Sequence, residues 1–314
     1  MRYIELFAGI GGFRVGLEKA GGFSCVYSNE FDRYANSVYR KHFGECDIRD
    51  IKTVQTRELP QFDMLVGGFP CQSFSVAGKR KGFSDIRGTM FFEVIRIAQE
   101  KLPSLVLLEN VKGLLNHDKG ETFATMLFAL DEIGYNAQWE VLDTQNFGIP
   151  QHRERIFIIA TPRERDTPKI FPIGEIDSVF KTEDGDQREG KERICSTIDS
   201  RYGALRGCGE TYIQTKKNHQ SYRVYGIDGN ACTLQGLAGG IGAKTGLYNT
   251  EMGIRRLTPI ETERLQGFED DWTKYGHDGQ EISDTRRYKM MGNAVSTNVI
   301  QVIGERIKQT AEGD

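Results

Sequence analysis

The chain has 314 residues and a mass of 35.5 kDa, enough for two domains or for one large domain with an insertion. Its composition, with 38% hydrophobic and 27% charged residues, is that of a folded globular protein and excludes a disordered or fibrous one. The net charge of −3 argues against a general binder of polyanions, because such proteins are usually basic overall.

Local features of the sequence exclude further classes of protein. No apolar run approaches the ~18 residues that a membrane span requires, and the first residues lack the apolar core of a signal peptide. The six cysteines form no CxxC pair and the five histidines are scattered, so neither a metal site nor a disulfide framework is expected. We therefore expect a soluble cytoplasmic protein that needs no metal.

The first 162 residues alternate between short apolar segments and amphipathic helical segments. Strands are predicted at residues 2–7, 23–28, 64–66, 104–108, 138–142 and 156–160. Helices are predicted between the glycine turn at 8–12 and residue 20, and at 32–42, 89–100 and 121–133. This alternation predicts a doubly wound α/β sheet, and the continuously apolar segment 105–108 is typical of a strand covered by helices on both faces.

A change of pattern after residue 162 predicts a second domain. Residues 181–193 are nearly all polar, and the stretch 203–253 is rich in glycine and in short β-like pieces. Between 201 and 256 there are eight Lys and Arg residues against three acids, so a basic face is possible on a mildly acidic protein. Helical periodicity returns at 259–266 and 295–307. We predict an α/β domain over 1–162, a smaller irregular domain over 163–272, and a segment over 273–314 that returns to the first domain.

Three strand ends carry residues that suit a nucleoside cofactor. The first strand runs into a glycine-rich turn at 7–13, where a ligand can approach the backbone closely. About 20 residues further on, Glu30 follows the second strand, where an acid can bond the hydroxyl pair of a ribose. Asp47 and Ile48 follow as a polar and apolar pair suited to a base ring. Each feature alone is weak, but their order suggests a cofactor in the crevice at the strand ends.

Three other positions suggest chemistry at the same edge of the sheet. Cys71 follows the Gly-Gly-Phe-Pro turn, which would expose its thiol, although a lone cysteine is more often a buried apolar residue. Glu109 ends an apolar strand, where burial would raise its pKa and suit it to donate a proton, unless it only caps the turn. Arg153 and Arg155 share a face of the next strand and can hold a carboxylate or an anion, or they belong to a solvated charge cluster.

The order of these motifs resembles that of the DNA (cytosine-5)-methyltransferases, particularly the short bacterial restriction–modification type. The matching blocks are 7–13, 29–30, 67–72, 109–111, 151–155, 256–259 with 266–268, and 292–295. A glycine turn alone is unspecific, but Pro-Cys-Gln, Glu-Asn-Val and Gln-x-Arg-x-Arg together are highly specific. The resemblance covers nearly the whole chain and implies a mixed sheet of the S-adenosylmethionine-dependent type, with a smaller, irregular, β-rich target-recognition domain.

The resemblance also implies a role for each residue of the site. Cys71 would attack C6 of a cytosine, Glu109 would hold and protonate N3, and Arg155 would bind O2, with Arg153 and Gln72 in support. C5 would then accept the methyl group of S-adenosylmethionine. The implied cofactor contacts are Phe7, Gly9, Gly11, Glu30, Phe31, Asp47, Ile48, Pro70, Met90, Asn293 and Val295.

A target cytosine is hidden inside the duplex, so the resemblance also implies that the base is flipped out and that DNA is held between the domains. The implied DNA contacts lie in a catalytic loop after Cys71 and in the middle region: Ser75, Lys79, Arg80, Lys81, Arg87, Gln220, Arg223, Thr233, Leu234, Gly239 and Gly240. Arginine and glutamine are suited to reading base edges, but either could equally hold a phosphate. We expect a monomer that acts on double-stranded DNA near the nucleoid, genetically paired with a restriction endonuclease of the same specificity.

Three other functions remain open. The related tRNA-modifying branch resembles this chain in its catalytic blocks, but it carries Cys-Phe-Thr where this chain has Ala231-Cys232-Thr233. A binding module without catalysis is disfavoured because Cys71, Glu109 and Arg155 are all present. A dinucleotide-binding oxidoreductase would leave the Pro-Cys-Gln turn unexplained.

Overall fold

The computed structural model describes residues 1–70, 90–164, 169–173, 212–214, 223–225, 231, 234, 247–250 and 253–312. One sheet contains β1 (Arg2–Leu6), β2 (Ser24–Asn29), β3 (Met64–Gly68), β4 (Leu105–Val111), β5 (Tyr135–Asp143) and β6 (Glu154–Pro162). The strand order is β2-β1-β3-β4-β6-β5. Strand β6 runs in the direction opposite to the other five strands, which makes the sheet mixed and confirms the predicted α/β architecture.

Helices cover both faces of this sheet. The helices are α1 (Gly12–Ala20), α2 (Arg33–Phe43), α3 (Met90–Lys101), α4 (Glu121–Glu132), α5 (Pro259–Arg264), α6 (Asp284–Asn293) and α7 (Thr297–Glu312). One buried cluster joins the sheet to α3 and α4, and a second joins its other face to α1 and α7. Gly16 lets α1 and α7 pack closely, because a Cβ atom there would lie 2.5 Å from the Cβ atom of Ile300.

Capping residues in the sequence place the ends of two of these helices. Asp32 precedes α2, and its side chain accepts hydrogen bonds from the backbone N–H groups of Tyr34 and Ala35. Thr258 precedes α5 and forms a reciprocal capping box with Glu261, while a proline occupies the first helical position. These local signals fix the residue at which each helix begins.

A second, smaller sheet lies in the part of the chain predicted to be irregular and rich in β structure. It contains β7 (Tyr212–Gln214), β8 (Arg223–Tyr225), β9 (Leu247–Thr250) and β10 (Gly253–Arg255), in the order β10-β9-β8-β7. The domain boundaries at 162 and 272 stay a prediction. None of the helices in the described ranges is both long and apolar enough to cross a membrane.

Two predicted elements differ from the structure, and one helix was not predicted. Strand β4 continues through Val111, so Glu109 and Asn110 lie within the strand and not after it. Helix α7 begins at Thr297 and not at 295, because Ala294 has an extended backbone with φ −67° and ψ 151°. Helix α6 was not predicted, because its sequence is mostly polar. Its buried residues are Arg287, Met290, Met291 and Gly292.

Candidate active site

The predicted site residues converge on one edge of the large sheet. Strands β1, β2, β3 and β4 are parallel, so their carboxyl ends meet at this edge. Strand β6 runs in the opposite direction and therefore starts there, with Arg155 paired in register with Val111 of β4. The edge thus brings together the glycine turn, the acid after β2, the turn before Cys71, and the Glu109 and Arg155 side chains.

The glycine turn after β1 has the backbone conformation that its sequence predicts. Phe7, Gly9 and Gly11 all adopt positive φ, at 55°, 58° and 90°. Glu30 braces the turn from β2, since its Oε2 accepts the N–H of Gly9 at 2.8 Å and its Oε1 accepts the N–H of Asp32 at 2.6 Å. Burial raises the pKa of Glu30, and the two backbone hydrogen bonds oppose that rise. Each carboxylate oxygen keeps a second lone pair that a ribose hydroxyl could approach.

The strand-like segment predicted at Asp47 is a single bridge to β2. The backbone N–H of Asp47 donates to the Ser28 carbonyl, and the Asp47 carbonyl accepts the N–H of Glu30. Burial favours the neutral acid of Asp47, but hydrogen bonds from Arg49 and Tyr27 outweigh it and lower its pKa. The Asp47 side chain is therefore ionised and held in place.

Two large apolar side chains are exposed beside these acids. Phe31 is 68% exposed and Ile48 is 50% exposed, and each follows directly on the acid of its segment, Glu30 or Asp47. The bridge between Asn29 and Asp47 brings the two segments side by side, so Phe31 and Ile48 offer apolar surface for a flat heterocycle, with polar partners beside it.

The remaining described cofactor candidates lie around the same turn. Val295 is buried against it, because a Cβ atom at Gly12 would lie 2.7 Å from Val295 Cγ1 and 2.9 Å from its carbonyl oxygen. Asn293 ends α6 with an exposed side chain, and Met90 begins α3. Pro70 is exposed at the end of the turn after β3. The structure therefore places the glycine turn, Glu30, Asp47, Pro70 and Val295 near this edge of the sheet, with Met90 and Asn293 at the ends of two helices.

Glu109 and Arg155 form a buried ion pair at the same edge of the sheet as the glycine turn. Arg155 Nε lies 2.9 Å from Glu109 Oε1, and the two side chains are 13% and 11% exposed. Gly68 makes room for the carboxylate, because a Cβ atom there would lie 3.1 Å from Glu109 Oε2. Burial raises the pKa of Glu109, whereas the positive charges of Arg155 and Arg153 oppose the rise. A buried carboxyl with an adjustable proton affinity is suited to general acid chemistry.

Among the described residues, Arg153 bonds backbone carbonyls and not the carboxylate of Glu109. Its guanidinium is buried and donates to three backbone carbonyls, those of Leu234 at 3.0 Å, Gly292 at 3.0 Å and Ala294 at 2.6 Å. Burial and the neighbouring Arg155 lower its pKa, but a guanidinium stays charged at neutral pH. Arg153 therefore ties the start of β6 to the middle region and to the segment after α6.

Asn110, a residue for which the sequence suggests no separate role, holds the turn before Cys71 in place. Asn110 Nδ2 donates to the Phe69 carbonyl at 2.9 Å, and Asn110 Oδ1 accepts the N–H of Val111 at 2.8 Å. The Glu-Asn-Val motif was the available signal, because an amide side chain after a catalytic acid can hold a neighbouring turn. Asn110 thus anchors the backbone two residues before Cys71.

A buried polar network, which the sequence pattern does not indicate, includes Gln151 and Gln266 from two of the matching blocks. Gln266 Nε2 lies 3.3 Å from Gln151 Oε1, and Gln266 Oε1 accepts the hydroxyl of Ser296 at 2.8 Å. The Ser296 hydroxyl in turn lies 2.8 Å from the hydroxyl of Thr144. The network joins the segment before β6 to the segments that precede α6 and α7.

Most of the predicted DNA contacts lie outside the described residues. These are Ser75, Lys79, Arg80, Lys81, Arg87, Gln220, Thr233, Gly239 and Gly240, together with the catalytic candidates Cys71 and Gln72. The backbone of Arg223 belongs to β8. Leu234 is 2% exposed and packs in a buried cluster with Ile10 of the glycine turn, so its side chain faces the protein interior and not a ligand.

The chain is similar to known proteins of one family over almost its whole length. The profile of the family described as C-5 cytosine-specific DNA methylase matches residues 1–309. The chain is 37% identical over 316 residues to the Type II methyltransferase M.HhaI of Haemophilus parahaemolyticus, covering 98% of this chain and 94% of that protein. It is 39% identical over 308 residues to the Type II methyltransferase M.NgoBI of Neisseria gonorrhoeae, covering 95% and 90%.

Solved structures share the fold at lower sequence identity. The S. pombe Dnmt2 methyltransferase has a TM-score of 0.72 at 19% identity, covering 100% of this chain and 99% of that one. The methyltransferase EhMeth of Entamoeba histolytica has a TM-score of 0.69 at 19% identity, covering 98% of each chain. These likenesses confirm the predicted methyltransferase type of the fold. The family profile and the relatives together establish that the chain belongs to the C-5 cytosine-specific DNA methylases.

Proposed function

We propose that this protein is a site-specific methyltransferase that modifies C5 of a cytosine in duplex DNA, through a covalent adduct between Cys71 and C6. The single observation that best supports this reaction is the buried pair of Glu109 and Arg155. This pair stands at the edge of the sheet where the turn of Phe69 and Pro70 leads into Cys71. A general acid and a cation are thus held beside the position of the nucleophile.

The residues around the glycine turn fit S-adenosylmethionine, the cofactor expected for this family and fold. Phe31 and Ile48 would hold the adenine, and Glu30 would bond the ribose, with Asp47 beside the base. The glycine turn would let the amino acid part approach the backbone closely. When bound, S-adenosylmethionine supplies a methyl group on a sulfonium centre and leaves as S-adenosylhomocysteine.

The chain's own residues account for the remaining chemistry. The thiolate of Cys71 would form a bond to C6, and the charge that develops in the ring would be neutralised as Glu109 gives a proton to N3. Arg155 would donate to O2 and keep the base oriented, while Arg153 and Gln72 support the site from outside the reacting atoms. C5 then carries electron density and accepts the methyl group. A water molecule would take the proton from C5, the Cys71 sulfur would leave C6 as the double bond re-forms, and N3 would return its proton to Glu109. No step of this sequence calls for a metal.

We infer that the target cytosine is flipped out of the duplex, because C5 and C6 are stacked inside B-DNA. The basic loop of Lys79, Arg80, Lys81 and Arg87, with Ser75, would close over the DNA backbone. The smaller sheet belongs to a recognition domain over 163–272, from which Gln220, Arg223, Thr233, Gly239 and Gly240 would contact the DNA. The backbone of Leu234 joins this domain to Arg153. We further propose that the protein acts as a monomer and is paired with a restriction endonuclease of the same specificity.

The test is methyl transfer from S-adenosylmethionine labelled in the methyl group to unmethylated duplex DNA. Label recovered as 5-methylcytosine with the wild type and lost in Cys71→Ala, by about 10³-fold or more, would support the proposal. DNA carrying 5-fluorocytosine gives a second readout: fluorine cannot leave C5 as a proton does, so a covalent protein–DNA adduct should accumulate.

Two controls separate this function from the other candidates. Label on tRNA but not on varied duplex DNA would contradict the proposal and favour the RNA-modifying branch. Binding of the cofactor without transfer to either nucleic acid would favour a binding module. Equal transfer by wild type and Cys71→Ala would contradict the covalent mechanism.

A further inference from the structure

The carbonyl of Ile10, in the middle of the glycine turn, is held by a tryptophan that lies far away in the sequence. Trp272 Nε1 donates to the Ile10 carbonyl at 3.0 Å, and the side chains of both residues are buried in one cluster. Phe43, whose ring lies 5.8 Å from the indole, occupies the space that a side chain at Gly11 would need, since a Cβ atom there would lie 2.3 Å from Phe43 Cε2. The turn is thus packed against aromatic groups below it.

Trp272 is itself fixed by its surroundings. The ring of His42 stacks on the indole with centroids 3.6 Å apart and planes 2° from parallel. His42 Nε2 donates to the carbonyl of Trp272 at 2.8 Å. The rings of Phe268 and Phe43 lie 5.2 Å and 5.8 Å from the indole. These contacts leave the indole N–H one orientation, toward the glycine turn.

The bond from Trp272 determines how one peptide plane of the turn is oriented. The carbonyl of Ile10 points to the indole, and the N–H of the same peptide, on Gly11, donates to the Ala8 carbonyl at 2.9 Å. Because a peptide is planar, these two bonds fix the direction from which α1 begins. The conformation at Gly9 and Gly11 requires positive φ, which a free glycine segment would adopt only part of the time.

We propose that Trp272 is a positioning residue for the cofactor: its N–H holds the Ile10 carbonyl, so that the glycine turn is already in its binding conformation before S-adenosylmethionine arrives. This inference rests on the proposed cofactor site. Trp272 does not belong to the set of residues that would touch the cofactor. Its effect falls on cofactor affinity, because ordering the turn in advance removes an entropy cost from binding.

The test replaces Trp272 with phenylalanine, which keeps an aromatic ring and removes the N–H. Calorimetric titration of the full chain with S-adenosylhomocysteine should give a Kd about 2- to 12-fold weaker, the range produced by loss of one neutral hydrogen bond. KM for S-adenosylmethionine should rise by the same factor, while kcat at saturating cofactor stays within about 2-fold, since the ordered state is restored by binding. The matched control is Trp139→Phe, because Trp139 is 45% exposed on the edge strand β5 and should leave Kd unchanged.

The Trp139→Phe protein also supplies a second measurement that keeps Trp272 in place. The chain has two tryptophans, so in this variant all indole emission comes from Trp272. Because the turn and Trp272 are already ordered in the free protein, this emission should stay nearly constant on addition of S-adenosylhomocysteine, while calorimetry records binding. His42→Phe, which keeps the stacked ring but removes the bond to the Trp272 carbonyl, should weaken Kd about 2-fold if that bond orients the indole.

The outcomes separate this inference from the proposed function. If the wild type bound no S-adenosylhomocysteine, the proposed function would be wrong and the inference would be wrong with it. If the wild type bound it, and Trp272→Phe had the same Kd with only a lower melting temperature, the inference alone would be overturned. A large change of Trp272 emission that follows the calorimetric binding curve would also overturn it, because the contact with the turn would then form only on binding.

Discussion

Glu5 is a carboxyl group buried in the centre of the sheet, and its replacement by glutamine should change how stability depends on pH. Glu5 Oε2 accepts the hydroxyl of Tyr39 at 3.0 Å, whereas Glu5 Oε1 has no partner among the described residues. Burial raises the pKa of Glu5 from 4.5 to about 8, despite opposing contributions from Tyr39 and Arg14. At neutral pH the folded protein therefore holds a proton here that the unfolded chain has released.

The sign and size of the effect follow from that difference. The stability from the protonated form is fully present below pH 4.5 and is lost as the pH rises through about 8. Each unit of pKa corresponds to about 1.4 kcal/mol, so the whole loss is on the order of 5 kcal/mol. Between pH 6 and pH 8 the wild type should lose about 2 kcal/mol relative to Glu5→Gln, whose side chain stays neutral.

Urea denaturation of both proteins from pH 5 to pH 9 measures this difference directly. The free energy of unfolding of Glu5→Gln should fall less steeply with pH, and the two curves should diverge up to about pH 8. Glu18→Gln is the matched control, because it removes the same charge from a half-exposed position paired with Arg14. If the Glu5→Gln and wild-type curves ran parallel over this range, the reasoning from burial would be refuted.

Two further predictions concern the catalytic and cofactor parts of the site. Glu109→Gln removes the proposed proton donor and should lower kcat by about 10²- to 10⁴-fold in the labelled-methyl assay. Its control is Glu154→Gln, because Glu154 is paired with Lys112 at the surface; kcat of this variant should stay within about tenfold of the wild type. Equal losses in the two variants would contradict the role of Glu109. Gly12→Ala would place a Cβ atom 2.7 Å from Val295 Cγ1 and should cost about 1–3 kcal/mol of stability in urea denaturation. Gly113→Ala is its control, since nothing lies within 4 Å of a Cβ atom there, and equal stability of the two variants would contradict the packing argument.

The fold could be predicted from the sequence where a local pattern acts on the element in which it lies. The apolar run in β4 predicts a strand covered on both faces, and Asp32 and Thr258 are capping residues that act on their own helices. Helix α6 was not predictable in this way, because its buried face includes Arg287. The charge of that arginine is balanced in the interior by Glu263, which is fully buried on α5 and lies 2.9 Å away. Because this contact joins two different helices, no local sequence pattern indicates it.

The sequence indicated which residues belong to the site, but not which groups each of them bonds. The positions of Glu109 and Arg155 at strand ends indicated that they would meet, and they do. The same spacing indicated that Arg153 would join them, yet Arg153 donates to three carbonyls from distant segments. Spacing in a strand determines which face a side chain occupies, but the acceptors available on that face come from chain segments that fold back from elsewhere.

The opposing influences on Glu109 suit the proposed reaction better than either influence would alone. Burial raises the pKa of its carboxyl, and the pair with Arg155 lowers it. In the proposed complex Arg155 also donates to O2 of the cytosine, so part of its charge is drawn from Glu109 toward the base. The carboxyl then holds its proton more firmly until negative charge develops at N3, which is the moment at which the proton is needed. A carboxylate that was simply exposed would be ionised at neutral pH and could donate nothing, whereas a buried acid without Arg155 nearby would leave the base without a cation to orient it.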